Sequence, residues 1–397
     1  MNNNELVLEG KKYVMNTYGR LPMALVKGEG SWVWDADGKK YLDFVGGLAV
    51  NSLGHCHPQV VEAISQQSKK MLHCSNLYWI EPQIELAKIL VEQSGLDKVF
   101  FCNSGAEANE SAIKLARKYA KTKWGDEKYE IITMKQSFHG RTLATLTATG
   151  QDKFHKGFAP LPQGFKYVPF NDIEAFKDAI SPNTCAVLLE PVQGEGGVYE
   201  AEHEYLEKVK QVCEDNNMLL IFDEVQCGLG RTGKWFAYEH YGITPHILSL
   251  AKALAGGVAI GAMLAREEVA SGFQPGDHAS TFGGNPLACA AGVAAMTAVE
   301  KENILDNVNK VSSYFKEQLI ALQEEFKMIE DIRGKGLIIG VELGKDAGNI
   351  VDYCRDQGLL INCIGGKILR FLPPLNTTTD QVDICINILK QALSKEG

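Results

Sequence analysis

The sequence predicts an α/β protein, with a mostly parallel central sheet in a large domain and a smaller α+β domain beside it. Between residues 99 and 264, short β-rich runs alternate with helical patterns. Those runs are apolar on both faces, as strands covered by helices on two sides must be. The length of 397 residues leaves room for two or three domains at about 150 residues each.

Taken in order, the first stretch places Trp32, Trp34, Asp35, Gly38 and Tyr41 in alternation around a turn, which predicts an antiparallel hairpin outside the main sheet. The predicted strands of the main sheet are 99–102, 130–134, 185–189, 219–222, 247–250 and 259–264. Polar or glycine residues follow most of them, and in such sheets ligands sit beyond the carboxyl ends of the strands. After Pro286, an Ala-rich and then Leu/Val-periodic helical region leads to strand-like 337–343 and 368–372 and a closing helix from about Thr379. The expected division is an N-terminal segment, 1–55, packing with the small domain, a large domain, 56–290, and a small C-terminal domain, 291–397.

A net charge of −9 without a basic run lacks the electrostatic footprint of a nucleic-acid or anionic-membrane surface, so small molecules are the expected partners. Apolar runs such as 186–189 and 218–222 are far short of the roughly 18 residues that span a bilayer, and residues 1–5 lack a signal-peptide pattern. A cytoplasmic protein is expected. Its ten cysteines form no CxxC pair and read as reduced, mostly buried thiols. His55-Cys56-His57 lacks the second ligand pair of a zinc site and reads as a loop, so no metal is expected.

Residues 228–234 match GxGxxG and most of a Walker A pattern. Both fail on context. Residues 223–227 separate the first glycine from the strand, no acid lies between Glu239 and Glu267 to meet a ribose, and Trp235 stands where a P-loop needs Ser or Thr.

Asn103-Ser104-Gly105-Ala106-Glu107-Ala108-Asn109, in contrast, follows a strand and opens a helix whose apolar side reads Ala108, Ala112, Leu115, Ala116, Tyr119. The free N–H groups of Gly105 and Ala106, with the Ser104 hydroxyl, suit a phosphate. Alone, this would be an ordinary capped helix. It is joined by Asp223, a carboxylate ending one strand, and by Lys252, a lysine flanked by alanines just after another. Phosphate anchor, partner for a protonated pyridine nitrogen, and reactive amine are the three parts that pyridoxal 5′-phosphate requires. Lys252 and Asp223 are the expected catalytic residues.

These residues, with Ser137-Phe138-His139-Gly140-Arg141-Thr142, Glu190-Pro191-Val192-Gln193-Gly194-Glu195-Gly196-Gly197, Asp223-Glu224-Val225-Gln226 and Leu250-Ala251-Lys252, resemble the ordered motif set of the class III (ω-type) pyridoxal-phosphate aminotransferases. The resemblance covers essentially the whole chain and implies the fold-type I dimer. It implies that Phe138 stacks on the cofactor ring, Gln226 bonds the ring hydroxyl, and Thr281, next to Ser280, reaches the phosphate of the partner subunit. Arg141 resembles the residue that binds the carboxylate farthest from the reacting amine, and Arg370 the one that holds the α-carboxylate of 2-oxoglutarate. Glu195 corresponds to a glutamate that pairs with that arginine while the amino donor is bound.

Ser75-Asn76-Leu77-Tyr78 and the Phe138–Arg141 motif are similar to the branch acting on N2-acetylornithine, with Tyr18 and Ser280 further candidates near the substrate. The activity so implied is ping-pong transfer, through pyridoxamine phosphate, of the donor's terminal amino group to 2-oxoglutarate. Two departures stand out: Phe282 occupies a position where many relatives have Tyr, and Ala253-Leu254-Ala255 replaces a glycine-rich run. Ornithine, succinylornithine, N-succinyldiaminopimelate and 4-aminobutyrate are the rival amino donors. An NAD-dependent oxidoreductase built on 228–233 and a catalytically silent protein of this fold are the rivals of other classes.

Overall fold

In the computed structural model, which describes residues 1–396, seven strands form the main sheet. Their spatial order is Lys98–Cys102, Gly261–Ala265, Ile247–Leu250, Leu219–Asp223, Thr184–Leu189, Glu130–Met134, Phe165–Val168. The last five are parallel neighbours. Gly261–Ala265 runs antiparallel to the strands on both of its sides. The connection from Leu250 to Gly261 is too short for the crossover that a parallel partner would need. Lys98–Cys102 therefore points the same way as the other five, and six carboxyl ends share one edge.

The central strands are buried at every position. Alternate residues enter different cores: Leu219 and Ile221 pack on one face, Leu220 and Phe222 on the other. The helix Gly105–Trp124 covers the first face with Ala112, Leu115, Ala116 and Ala120, while Leu206 and Val209 of His203–Asp215 belong to the second core. Phe165–Val168 is absent from the sequence-predicted strands. It is an edge strand only partly covered, and its Lys166 breaks the apolar run.

Leu25–Glu29, Trp32–Asp35 and Lys40–Asp43 form an antiparallel meander that includes the predicted hairpin. Leu359–Leu360, from the far end of the chain, joins it parallel to Lys40–Asp43. After the helices Pro286–Lys301 and Ile304–Glu325, a second antiparallel sheet orders Ile329–Lys335, Ile338–Leu343, Ile368–Phe371 and Asn362–Ile364. The closing helix is Thr379–Glu396. Ile329–Lys335 escapes sequence reading because four of its seven residues are charged.

The 228–234 segment is a packed loop. Arg231, 2% exposed, donates from Nη1 to the carbonyls of Leu337 (2.9 Å) and Pro373 (2.6 Å), tying the main sheet to the small one. His55 bonds Asp43 at 2.8 Å and His57 pairs with Glu302 at 3.2 Å. No helix among the described residues is long and apolar enough to cross a membrane.

Candidate active site

The carboxyl edge of the main sheet opens into a cavity of about 460 Å³, a size that suits a small-molecule site. Asp223 ends its strand there, 3% exposed. Three N–H donors hold its carboxylate: Asn109 Nδ2 (2.7 Å) and His139 Nδ1 (2.8 Å) on Oδ2, and the Val225 amide (3.0 Å) on Oδ1. Asn109 and His139 are themselves buried. Sequence reading quoted both within motifs but gave neither a role. The available signal was a polar Asn109 on the apolar side of its helix, beside Ala108 and Ala112.

Lys252 follows the neighbouring strand, whose Ser249 lies in register with Asp223. Its backbone has φ +42°, the left-handed region that non-glycine residues avoid at a cost of order 1–3 kcal/mol. The chain accepts this and turns the lysine side chain into the cavity. Among the described residues its ammonium has no hydrogen-bond or salt-bridge partner. Burial holds its pKa below the ordinary lysine value; Glu195 opposes the shift and the Arg370 charge reinforces it.

Ser104 caps Gly105–Trp124, its hydroxyl accepting from the Glu107 amide at 3.2 Å. The amides of Gly105 and Ala106, in the first turn, have no carbonyl partner within the helix and line the cavity. Gly105 has a packing reason to be glycine: a Cβ there would stand 2.6 Å from Val225 Cγ1. A helix end with open donors, a fixed carboxylate and, among the described residues, an unpaired amine thus line one cavity.

Glu190 directly follows the next strand, Thr184–Leu189, and sequence reading placed it in a motif without giving it a role. It accepts from the Phe138 amide at 3.0 Å and more weakly from Gly194 at 3.4 Å, tying the two loops together. Burial, with the Asp223 charge adding, pushes its pKa well up. Phe138 lines the cavity and meets Phe154 edge-on, ring centroids 5.8 Å apart. Arg141 stands at the mouth, exposed, its guanidinium 4.1 Å from the Phe154 ring and without a carboxylate partner among the described residues.

Arg370 is fully buried. Its Nη1 donates to Glu195 Oε1 (2.7 Å), Gly194 O (3.1 Å) and Gln226 Oε1 (3.1 Å), and Nε donates to Asn362 Oδ1 (3.0 Å). Nη2 is buried and, among the described residues, without a partner. Burial alone would raise the Glu195 pKa; the charge and hydrogen bond of Arg370 outweigh it and bring it below the usual value.

The family follows from this frame and the sequence match together, since residues 13–393 match the family model of the class-III aminotransferases. The chain belongs to that family. It is 58% identical to an acetylornithine aminotransferase of Caldanaerobacter subterraneus subsp. tengcongensis, over 97% of this chain and 98% of that one. It is 54% identical to one of Methanocaldococcus jannaschii, over 97% of each chain. The crystal structure of ornithine aminotransferase from Toxoplasma gondii ME49 superposes with a TM-score of 0.95 at 33% identity, covering 100% of this chain and 96% of that one. The fold is fold-type I.

This class-III aminotransferase chain does not gather every sequence-predicted residue into its own cavity. Lys252, Asp223, Ser104, Gly105, Ala106, Phe138, Gln226, Arg141 and Glu195 line it. Arg370 stands behind Glu195. Tyr18, 70% exposed, lies outside it, as do Ser280 and the exposed Thr281. Ser280 instead bonds Asn103 and the Gly283 amide. The departing Phe282 is exposed and touches only His73 among aromatic neighbours, 5.4 Å between centroids.

Proposed function

We propose that this aminotransferase moves the terminal amino group of N2-acetyl-L-ornithine to 2-oxoglutarate, giving N-acetyl-L-glutamate 5-semialdehyde and L-glutamate, with pyridoxal 5′-phosphate as cofactor. The observation that carries the reading is a buried arginine, Arg370, covered by a displaceable carboxylate, Glu195, in the cavity that holds an unpaired lysine. The names of the curated relatives support the donor.

The residues fit the cofactor: the Gly105 and Ala106 amides with Ser104 would hold its phosphate, Asp223 its ring nitrogen, Gln226 its ring hydroxyl and Phe138 its face. When bound, the cofactor supplies an electron sink for the substrate carbon that loses a proton. Asn109 and His139 keep the Asp223 carboxylate aimed at that nitrogen. Lys252 Nζ, its pKa lowered by burial, takes the proton from the amine-bearing carbon and returns it on the other side of the exchange. Arg141 binds the donor's α-carboxylate at the mouth. With Glu195 paired to Arg370, the region beside the reacting amine carries no free positive charge, which admits a donor whose reacting end has no carboxylate. When 2-oxoglutarate enters, its α-carboxylate replaces Glu195 and takes the free Nη2 as well.

Two copies of the chain form the working unit in this proposal. Leu77, Tyr78 and Trp79 are 85%, 68% and 91% exposed in one chain, and Phe282 61%, an apolar surface that a second copy would cover. Ser280, Tyr18 and Thr281 of the partner subunit would then complete each site. A cytoplasmic location belongs to the same proposal.

The test is the visible spectrum of the cofactor-loaded protein with N2-acetylornithine, ornithine, N-succinyldiaminopimelate or 4-aminobutyrate, each without a keto acid. Bleaching of the band at the lowest concentration by acetylornithine is expected. A stronger response to another amine would replace the donor, and a protein that cannot be loaded would overturn the reading. Lys252→Ala should abolish turnover.

A further inference from the structure

We propose that Gln136 and Lys153 receive the Glu195 side chain when a substrate carboxylate takes its place on Arg370, which makes them positioning residues for binding of the keto acid. This rests on the Arg370 reading above.

Glu195 borders two cavities. Besides the main one, it lines a second of about 510 Å³, bounded by Gln136, Gln151, Lys153, Tyr199 and Ile368. Displaced from Arg370, its carboxylate cannot settle in the main cavity, where the incoming substrate and the acids Glu190 and Asp223 already stand. Among the described residues, the second cavity has no other acid in its lining, and Lys153 is its one cation. That ammonium forms no salt bridge among the described residues and rests 4.9 Å from the Phe154 ring centroid.

Gln136 reaches the same space from beside the Glu195 loop. A Cβ on Gly196 would stand 2.5 Å from the Gln136 carbonyl. That carbonyl accepts from Gln151 Nε2 at 3.2 Å, while the Gln136 side-chain amide has no partner among the described residues. Gln136 holds φ +64°, a strained position for a side-chain-bearing residue. Gly194 and Gly196 flank Glu195 and put no side chain in its path.

Calorimetry of the cofactor-loaded enzyme with glutarate, which has both carboxylates and nothing to transaminate, tests the proposal. Gln136→Ala/Lys153→Met should weaken glutarate about three- to fivefold, the scale of an exposed ion pair. Glu195→Ala should tighten it, because nothing need be displaced, and in that background the paired substitution should change nothing. Equal weakening in both backgrounds would mean that the two residues touch the ligand itself, and no weakening in either would mean that they do nothing. Either result overturns the proposal. Lys153 is exposed, so Lys153→Met alone serves if the pair disturbs folding. Failure of the Arg370 reading would look different, since the unsubstituted enzyme would then bind no glutarate, and this inference would fall with it.

Discussion

Asp223 and Glu224 are adjacent, buried and differently held. Asp223 has Asn109 and His139 from two other elements, so Asn109→Ala should cost about 1–3 kcal/mol in denaturant unfolding of the cofactor-free protein, the range for removing one partner of a buried charged group. The same variant should also lose cofactor on dialysis faster than the unsubstituted protein. Glu224 points away and accepts from the Ala237 and Tyr238 amides at 2.7 and 2.8 Å. Burial, opposed by those two bonds, still raises its pKa from the usual 4.5 to about 8. The folded state therefore holds a proton that the unfolded chain releases above the usual value. The stabilisation is complete at acid pH and is lost as pH rises through 8, amounting to several kcal/mol at most. The denaturation midpoint should fall between pH 5 and 8.5, and Glu224→Gln should flatten that fall. Asp223 and Lys252 were legible because each is a charge at the end of an apolar run. Asn109, His139 and Glu190 were not, because their partners lie 30 to 114 residues away along the chain.

At the scale of elements, the helix Gly105–Trp124 has two duties at one end. Ser104 caps it, and the next two amides, open within the helix, are the proposed phosphate donors. Ser104→Ala should lower thermal stability by about 1 kcal/mol, the ordinary value of a cap. It should weaken cofactor binding as well, a separation that equilibrium dialysis and thermal melts would read independently. Gly105→Ala should do the reverse, weakening cofactor more than its helix, because the added methyl must push Val225 aside. The central strands announced themselves in sequence through unbroken apolar runs. Phe165–Val168, Asn362–Ile364 and Ile329–Lys335 did not, because exposed or partly exposed strands carry charge and polarity on the face that meets solvent. The direction of Gly261–Ala265 was equally hidden, since a strand's sequence does not record which way its neighbours run.

For the whole molecule, the proposed pairing of two copies rests on the exposed apolar surface of Leu77, Tyr78 and Trp79. If two copies pair through this surface as proposed, Leu77→Asp/Trp79→Asp should shift sedimentation from dimer to monomer and lower kcat by an order of magnitude or more, because the proposed reach of Thr281 into a second site would be lost. A variant that stays folded, monomeric and fully active would show that each chain works alone. The role proposed for Thr281 comes only from family resemblance, since nothing in a chain's own periodicity marks a residue that would serve another chain. The pairing of Lys40–Asp43 with Leu359–Leu360 has a consequence for biosynthesis. A strand made near the start of translation waits for a partner made near the end, and the turn at Ser104 after Cys102 waits for Gly261–Ala265 to close the sheet edge beside it. At about 5–20 residues per second, the ribosome leaves the early strand edge open for roughly 15 to 60 seconds before its mate emerges. A nascent chain stalled before residue 359 would present that edge to whatever strand-forming segment lies nearby, so factors that shield unfinished chains matter most in this interval.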